Sequence, residues 1–175
     1  MNIFFVNRTD KSFYVCPDTA IEKEAQISKE DPETKLFDYY VPDGIKLLKT
    51  FSFVYIKMER AGKSIKKEFI HRYYKRWGFG VHLLSENTQH GYEKILDNSI
   101  FLGPEFYIED TEYDDKELAE IVREFAKLTE IVSEYVSLRT GDIIAFEKPD
   151  DQSVEVKPEC REEVTVPGIT IQIIS

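Results

Sequence analysis

From Leu118 to Val136 the apolar residues Leu118, Ile121, Val122, Phe125, Leu128, Val132, Tyr135 and Val136 recur at helical spacing and form one stripe of an α-helix. Asp114 and Glu117, just ahead of it, resemble a capping pair. A shorter stripe, Phe69, Ile70, Tyr73, Tyr74 and Trp77, predicts a first helix over 66–77, with Gly78 placed to end it in the left-handed conformation. Elsewhere the period is two or the apolar runs are short. These predict strands at 3–6, 13–15, 51–59, 79–83, 143–146, 154–156, 164–166 and 169–174. Pro167-Gly168 closes a terminal hairpin, and residues 49–67 read as a two-stranded ribbon turning at Ala61-Gly62. On the first strand of that ribbon Ser52, Val54, Ile56 and Met58 share one face, and Phe51, Phe53 and Tyr55 the other. Residues 22–42, charged and interrupted by Pro32, read as a mobile loop.

Many strands and two helices, not in strict alternation, imply an α+β fold of mixed or antiparallel strands rather than a doubly wound one. No repeat, low-complexity tract or Gly/Ser linker divides the chain, so a single domain over 1–175 is expected. Composition agrees. Hydrophobic residues make up 42% and aromatics 13%, too apolar for disorder and too often interrupted by charge for a membrane span. The start MNIFFVNRTD has no basic leader and reads as a first strand, which makes the cytoplasm the expected compartment. Cys16 and Cys160 lie far apart without a C-x-x-C spacing and read as buried or indifferent thiols.

The net charge is −10, with acidic clusters at IEDTEYDDKE and EKPDD, so nucleic acid is excluded as an expected partner. One locally basic run, KSIKKEFIHRYYKR, reads as the solvated face of the first helix. No glycine-rich phosphate loop, G-x-S-x-G elbow, H-E-x-x-H or EF-hand loop is present. Of the three histidines, His71 and His90 sit among polar residues, while His82 lies in the strand-like GFGVHLL and reads as a hydrogen-bonded core residue. The paired acids Asp114-Asp115 and Asp150-Asp151 read as capping and turn residues.

Four stretches in order, YVCPDTAI, FSFVYIKMERAGKSIKKEFIHRYYKRWGFGVHLLSENTQ, LDNSIFLGP and IVSEYVSLRTGDIIAFEKP, resemble the fumarylacetoacetate hydrolase family. The likeness is to its small single-domain members related to 2-hydroxyhepta-2,4-diene-1,7-dioate isomerase. It implies a distorted β-roll of mixed strands with two main helices, like that family's C-terminal domain, assembled as a dimer. It also implies a Mg²⁺ or Mn²⁺ ion on a Glu-x-Glu pair and an Asp of the next strand, polarising a dicarbonyl or enol substrate.

Laid on this sequence, the Glu-x-Glu positions fall on Ser52 and Val54, and the Asp falls on His82. An Ala-Arg-Asp segment of the family corresponds to Ser85, Glu86 and Asn87, which exchanges a cation for an anion. A Thr-Gly-Thr-Pro loop corresponds to Phe146, Glu147, Lys148 and Pro149, where a ring and an acid crowd the substrate's approach. The family's catalytic lysine has only Lys94 as a nearby candidate. An ion facing Ser, Val and His lacks the charged oxygens that offset its dehydration, so no Mg²⁺ or Mn²⁺ and no other cofactor is expected. The expectation is therefore a non-catalytic relative that acts as a binding or assembly protein, as a homodimer or as a mixed dimer with an active paralogue. The alternative is an isomerase, hydrolase or decarboxylase acting on a dicarbonyl or 2-oxo acid, with His82 and Glu86 or Glu147 as an acid-base pair or softer metal site.

Overall fold

The computed structural model describes residues 1–85, 96–109, 115–155 and 161–175, with backbone alone at 115–118 and 147–155. The strands are β1 (Asn2–Val6), β2 (Phe13–Pro17), β3 (Gln26–Ile27), β4 (Lys35–Tyr40), β5 (Leu47–Lys57), β6 (Arg76–Ser85), β7 (Ile100–Tyr107), β8 (Ile143–Glu155), β9 (Arg161–Val166) and β10 (Ile169–Ile174). The helix α1 spans Asp115–Tyr135, and 3-10 turns lie at Asp18–Ala20 and Lys67–Arg72. One sheet has the order β2-β1-β8-β5-β6-β7, the other β3-β4-β10-β9. Parallel pairs (β1 with β8, β4 with β10) and antiparallel pairs (β1 with β2, β9 with β10) coexist, which makes this the mixed α+β fold expected from the strand pattern.

Several elements depart from the sequence reading. The first helix is a 3-10 turn that stops at Arg72, because Trp77 and Gly78 are drawn into β6, where Trp77 is fully buried. The ribbon at 49–67 does not fold back on itself. Both edges of β5 are already taken by β8 and β6, and Gly62 pairs instead with Leu138 through hydrogen bonds of 3.0 and 2.8 Å. Residues 22–42 are not all loop, since they contain β3 and β4. In β4, Phe37 and Tyr39 point inward and Asp38 and Tyr40 outward, a period of two that charged neighbours obscure. The strands expected at 143–146 and 154–156 are one continuous β8. Cys160, Asp114 and His90 lie outside the described residues, whereas Cys16 is buried.

Contacts divide the chain into two compact units, each made of three separated segments. The first comprises Met1–Asp18, Val54–Gly78 and Glu105–Glu147. Here the apolar stripe of α1 buries Phe125, Leu128 and Val132 completely, and the Phe125 ring lies 4.9 Å from that of Phe146. Asp142 ties the strand ends together. Its carboxylate accepts from the Asn2 N–H at 2.9 Å and from the Arg139 N–H at 2.8 Å, joining the start of β1 to the turn that feeds β8. At the ends of three strands, Arg76 meets Glu105 at 3.0 Å and Glu59 at 3.5 Å, while Lys57 meets Glu105 at 3.4 Å.

The second unit comprises Thr19–Phe53, Phe79–Pro104 and Lys148–Ser175. Its core packs Phe37 and Tyr39 of β4 and Ile169, Ile171 and Ile173 of β10 against Leu48, Val81, Leu83 and Phe101. The expected terminal hairpin forms, pairing Val166 with Ile169. Gly168 takes φ +75° in its turn, and a Cβ there would lie 2.8 Å from Pro104. The Tyr39 ring stands edge-on to Phe101, and burial, with the Asp97 carboxylate adding to it, pushes the phenol up to about 12. Among the described residues its hydroxyl has no hydrogen-bond partner.

Removing the Asp142 carboxylate orphans two backbone donors. Asp142→Ala is expected to cost about 2–3 kcal/mol in urea denaturation, since each buried unsatisfied group costs roughly 1–3 kcal/mol. Tyr39 generates an alkaline prediction. The unfolded phenol ionises near pH 10 and the folded one only near 12, so the stability present below pH 10 is lost as pH rises through that window. Tyr39→Phe should match or exceed the parent at pH 8 and lose less stability between pH 8 and 11, as measured by urea melts.

Candidate functional site

Any site built like the one expected from the sequence stands on β5 and β6, which are neighbours in the larger sheet. Gly80 fixes which faces match. A Cβ on Gly80 would lie 2.1 Å from Phe53 Cζ, so the Phe53 ring lies over the bare backbone of Gly80 and both belong to one face. Alternation then places His82 on that same face. Ser52 belongs to the opposite face with Leu48, which packs in one cluster with Val81 and Leu83. Val54 follows Ser52 by the same alternation. The positions expected to face one ion are therefore divided between two faces. On the His82 face, β5 contributes Phe51, Phe53 and Tyr55.

Neither face holds an acid. LLKTFSFVYIK and RWGFGVHLLS, the whole of β5 and β6, contain no Asp or Glu, so sliding either strand by one residue brings in no carboxylate. Among the described residues no three His, Cys, Asp or Glu side chains come together as metal ligands. His82 and Phe53 are fully buried, Val54 nearly so, and Ser52 is half-buried.

Phe146, expected beside a substrate's approach, lies in a packed core. Its ring is buried against Phe125 of α1 and capped on its face by the Arg8 guanidinium, 4.8 Å from the ring centre. Arg8 is held there by Glu124 at 3.4 Å. Glu147 lies in β8 with its backbone alone described, while Glu86 and Lys94 fall outside the described residues. Sequence reasoning missed the pairing of Phe53 with Gly80. The available signal was a glycine inside a strand pattern, which marks a close approach by a neighbour. It also missed the cluster of Lys57, Glu59, Arg76 and Glu105, whose members come from separated segments and show no spacing that links them.

Most other buried polar groups serve the backbone. The Ser133 hydroxyl accepts from the Ile65 N–H at 2.9 Å, and the Ser99 hydroxyl donates to the Leu96 carbonyl at 2.7 Å. Burial pushes the phenols of Tyr55 and Tyr74 upward, so both stay protonated at any physiological pH.

No family model matches the chain, and no curated protein matches it. Solved structures do. The 2-hydroxyhepta-2,4-diene-1,7-dioate isomerase from Mycobacterium marinum superposes with a TM-score of 0.69 at 15% identity, over 99% of this chain and 73% of that one. Fumarylpyruvate hydrolase from Pseudomonas aeruginosa, in complex with Mn²⁺ and pyruvate, gives 0.67 at 14% identity over 95% and 80%. A Yersinia pestis CO92 protein assigned to the fumarylacetoacetate hydrolase family gives 0.69 at 13% over 99% and 92%. The chain therefore has the fold of fumarylacetoacetate hydrolase family proteins along nearly its whole length.

The contact between Phe53 and Gly80 makes a double-mutant prediction. Phe53→Ala should cost about 3–5 kcal/mol through the cavity it leaves, and Gly80→Ala about 1–3 kcal/mol through overpacking. Their combination should cost less than the sum by at least about 0.5 kcal/mol, because the added methyl enters the space the ring vacates. Strictly additive losses in chemical denaturation would show that the two do not touch.

Proposed function

We propose that this chain is a fumarylacetoacetate hydrolase family member that has lost the family's divalent ion and persists in the cytoplasm as a binding or assembly protein. It acts as a homodimer or as a mixed dimer with an active paralogue. The observation that carries this reading is the donor set of β5 and β6. Mg²⁺ and Mn²⁺ are hard cations that require several oxygen ligands, usually with carboxylates among them, to offset the loss of their water shell. These two strands offer Phe51, Phe53 and Tyr55 on the face of His82, and Ser52 and Val54 on the other. The residues present do not fit the ion.

Without such an ion, a 1,3-dicarbonyl or 2-oxo acid gains no Lewis-acid polarisation, and an apolar wall replaces the charge that would hold its carboxylate. A fold freed of that chemistry retains its surfaces, which suits binding or assembly. One observation favours the enzymatic alternative. His82 is a fully buried imidazole on the face that would carry the site, and imidazole suits zinc better than magnesium.

The test is to strip the purified protein with chelator and titrate Mg²⁺, Mn²⁺ and Zn²⁺ by calorimetry, with thermal melting alongside. A bound ion raises the melting temperature by mass action. The expected outcome is no heat and no shift with any of the three. Binding of Mg²⁺ or Mn²⁺ at micromolar concentration would sink the proposal. A response to Zn²⁺ that disappears in His82→Ala would establish the alternative.

A further inference from the structure

The basic run KSIKKEFIHRYYKR was expected as the solvated side of an amphipathic α-helix with Phe69 on its apolar stripe. The structure replaces that helix with a 3-10 turn at Lys67–Arg72 and leaves Phe69 46% exposed. The Arg72 guanidinium lies over its ring, 4.9 Å from the centroid. Lys67, His71 and Arg72 of the same turn are exposed, as are Lys63 and Lys75 on either side of it in the chain. An exposed aromatic with a cation over its ring is therefore presented by the segment.

The segment is held in place from beneath. Ile65, Ile70 and Tyr74 are buried, and the Tyr74 hydroxyl donates to the Val122 carbonyl of α1 at 3.5 Å. The N–H groups of Ser64 and Ile65 donate to the carbonyl and hydroxyl of Ser133, at 2.8 and 2.9 Å. Lys66 reaches Glu130 of the same helix at 3.5 Å. Ser64 takes φ +52°, a conformation that costs a non-glycine residue energy and is kept here by those two hydrogen bonds. A patch fixed in this way loses little entropy on binding.

Charge identifies the partner. Lys66 and Arg76 are already held by Glu130, Glu59 and Glu105, so Lys63, Lys67, Arg72 and Lys75 against Glu68 leave the segment +3 on a chain of net charge −10. Interspersed charges serve solubility best, and concentration of one sign on a protein of the other sign is an arrangement for recognition. A long polyphosphate approaching the patch also meets the surrounding negative surface. A short acidic segment is shorter-ranged. It engages the cations within the roughly 8 Å over which physiological salt leaves charges visible to each other.

We infer that Lys67, Phe69 and Arg72 of this turn form a docking surface for an acidic protein segment that carries an apolar side chain to lie on the Phe69 ring. The probe is a fluorescein-labelled Glu-Glu-Leu-Glu peptide, titrated with the full chain and read by anisotropy. Saturable binding is expected, weakening about tenfold from low salt to about 0.3 M salt as the charges are screened. Lys67→Glu with Arg72→Glu should abolish it, and Phe69→Ala should weaken it several-fold while keeping the salt dependence. Unchanged thermal melting confirms that the variants fold. Three results would overturn the inference: no binding by the parent, equal binding by the charge-reversed variant, or tighter binding of an oligouridine of equal length. A solution mass that drops from dimer to monomer on charge reversal would also overturn it, since a second copy would then cover the patch.

Discussion

Burial of β5 and β6 on both faces is the constraint on which the rest of the structure depends. Phe53, Val54, Tyr55 and Ile56 are consecutive and all buried, and Val81 to Leu84 are as well. A strand covered on both sides has no solvent face to which a charged side chain can turn. A carboxylate placed in either run would have to be paired, or would cost several kcal/mol of lost hydration. Here the same strands are filled with rings and aliphatic groups, and His82 is the one titratable side chain other than phenols among the fully buried positions of the two strands. The absence of acids from the two strands and their apolar packing are thus one physical fact.

Phe53 and Gly80 show how the space is used. Glycine within a strand weakens it because nothing covers the backbone. An aromatic ring from the neighbouring strand restores cover and buries a large apolar area. Phe146 does the same in the first unit, where it fills the gap between β8 and α1 beneath Arg8. Both rings are core residues.

Charge is organised differently from apolar packing. Three ion pairs gather at strand ends, where Arg76 bridges Glu59 and Glu105 and Lys57 joins Glu105. Such half-exposed pairs stabilise weakly one by one, but they hold together the ends of β5, β6 and β7. The 3-10 turn at Lys67–Arg72 is set apart from this scheme because Arg72 lies over the exposed Phe69 ring rather than against a carboxylate among the described residues.

The sequence by itself determined the elements whose signal is local. The stripe from Phe125 to Val132 specified α1, Pro167-Gly168 specified the last hairpin, and the ordered series of strands specified a mixed α+β fold, because period and turn chemistry act over a few residues. It also determined that β5 and β6 lack acids, which needs no coordinates. Only the tertiary structure decided what depends on neighbours distant in the chain. It drew Trp77 from a helical pattern into β6, because a strand edge offered its backbone partners and its ring a buried place. It made β4 from an apparently charged loop, since pairing with β10 rewards the alternation of Phe37 and Tyr39. It also set Ser52 and His82 on opposite faces, since a strand's side-chain period of two turns a one-residue offset into a change of side.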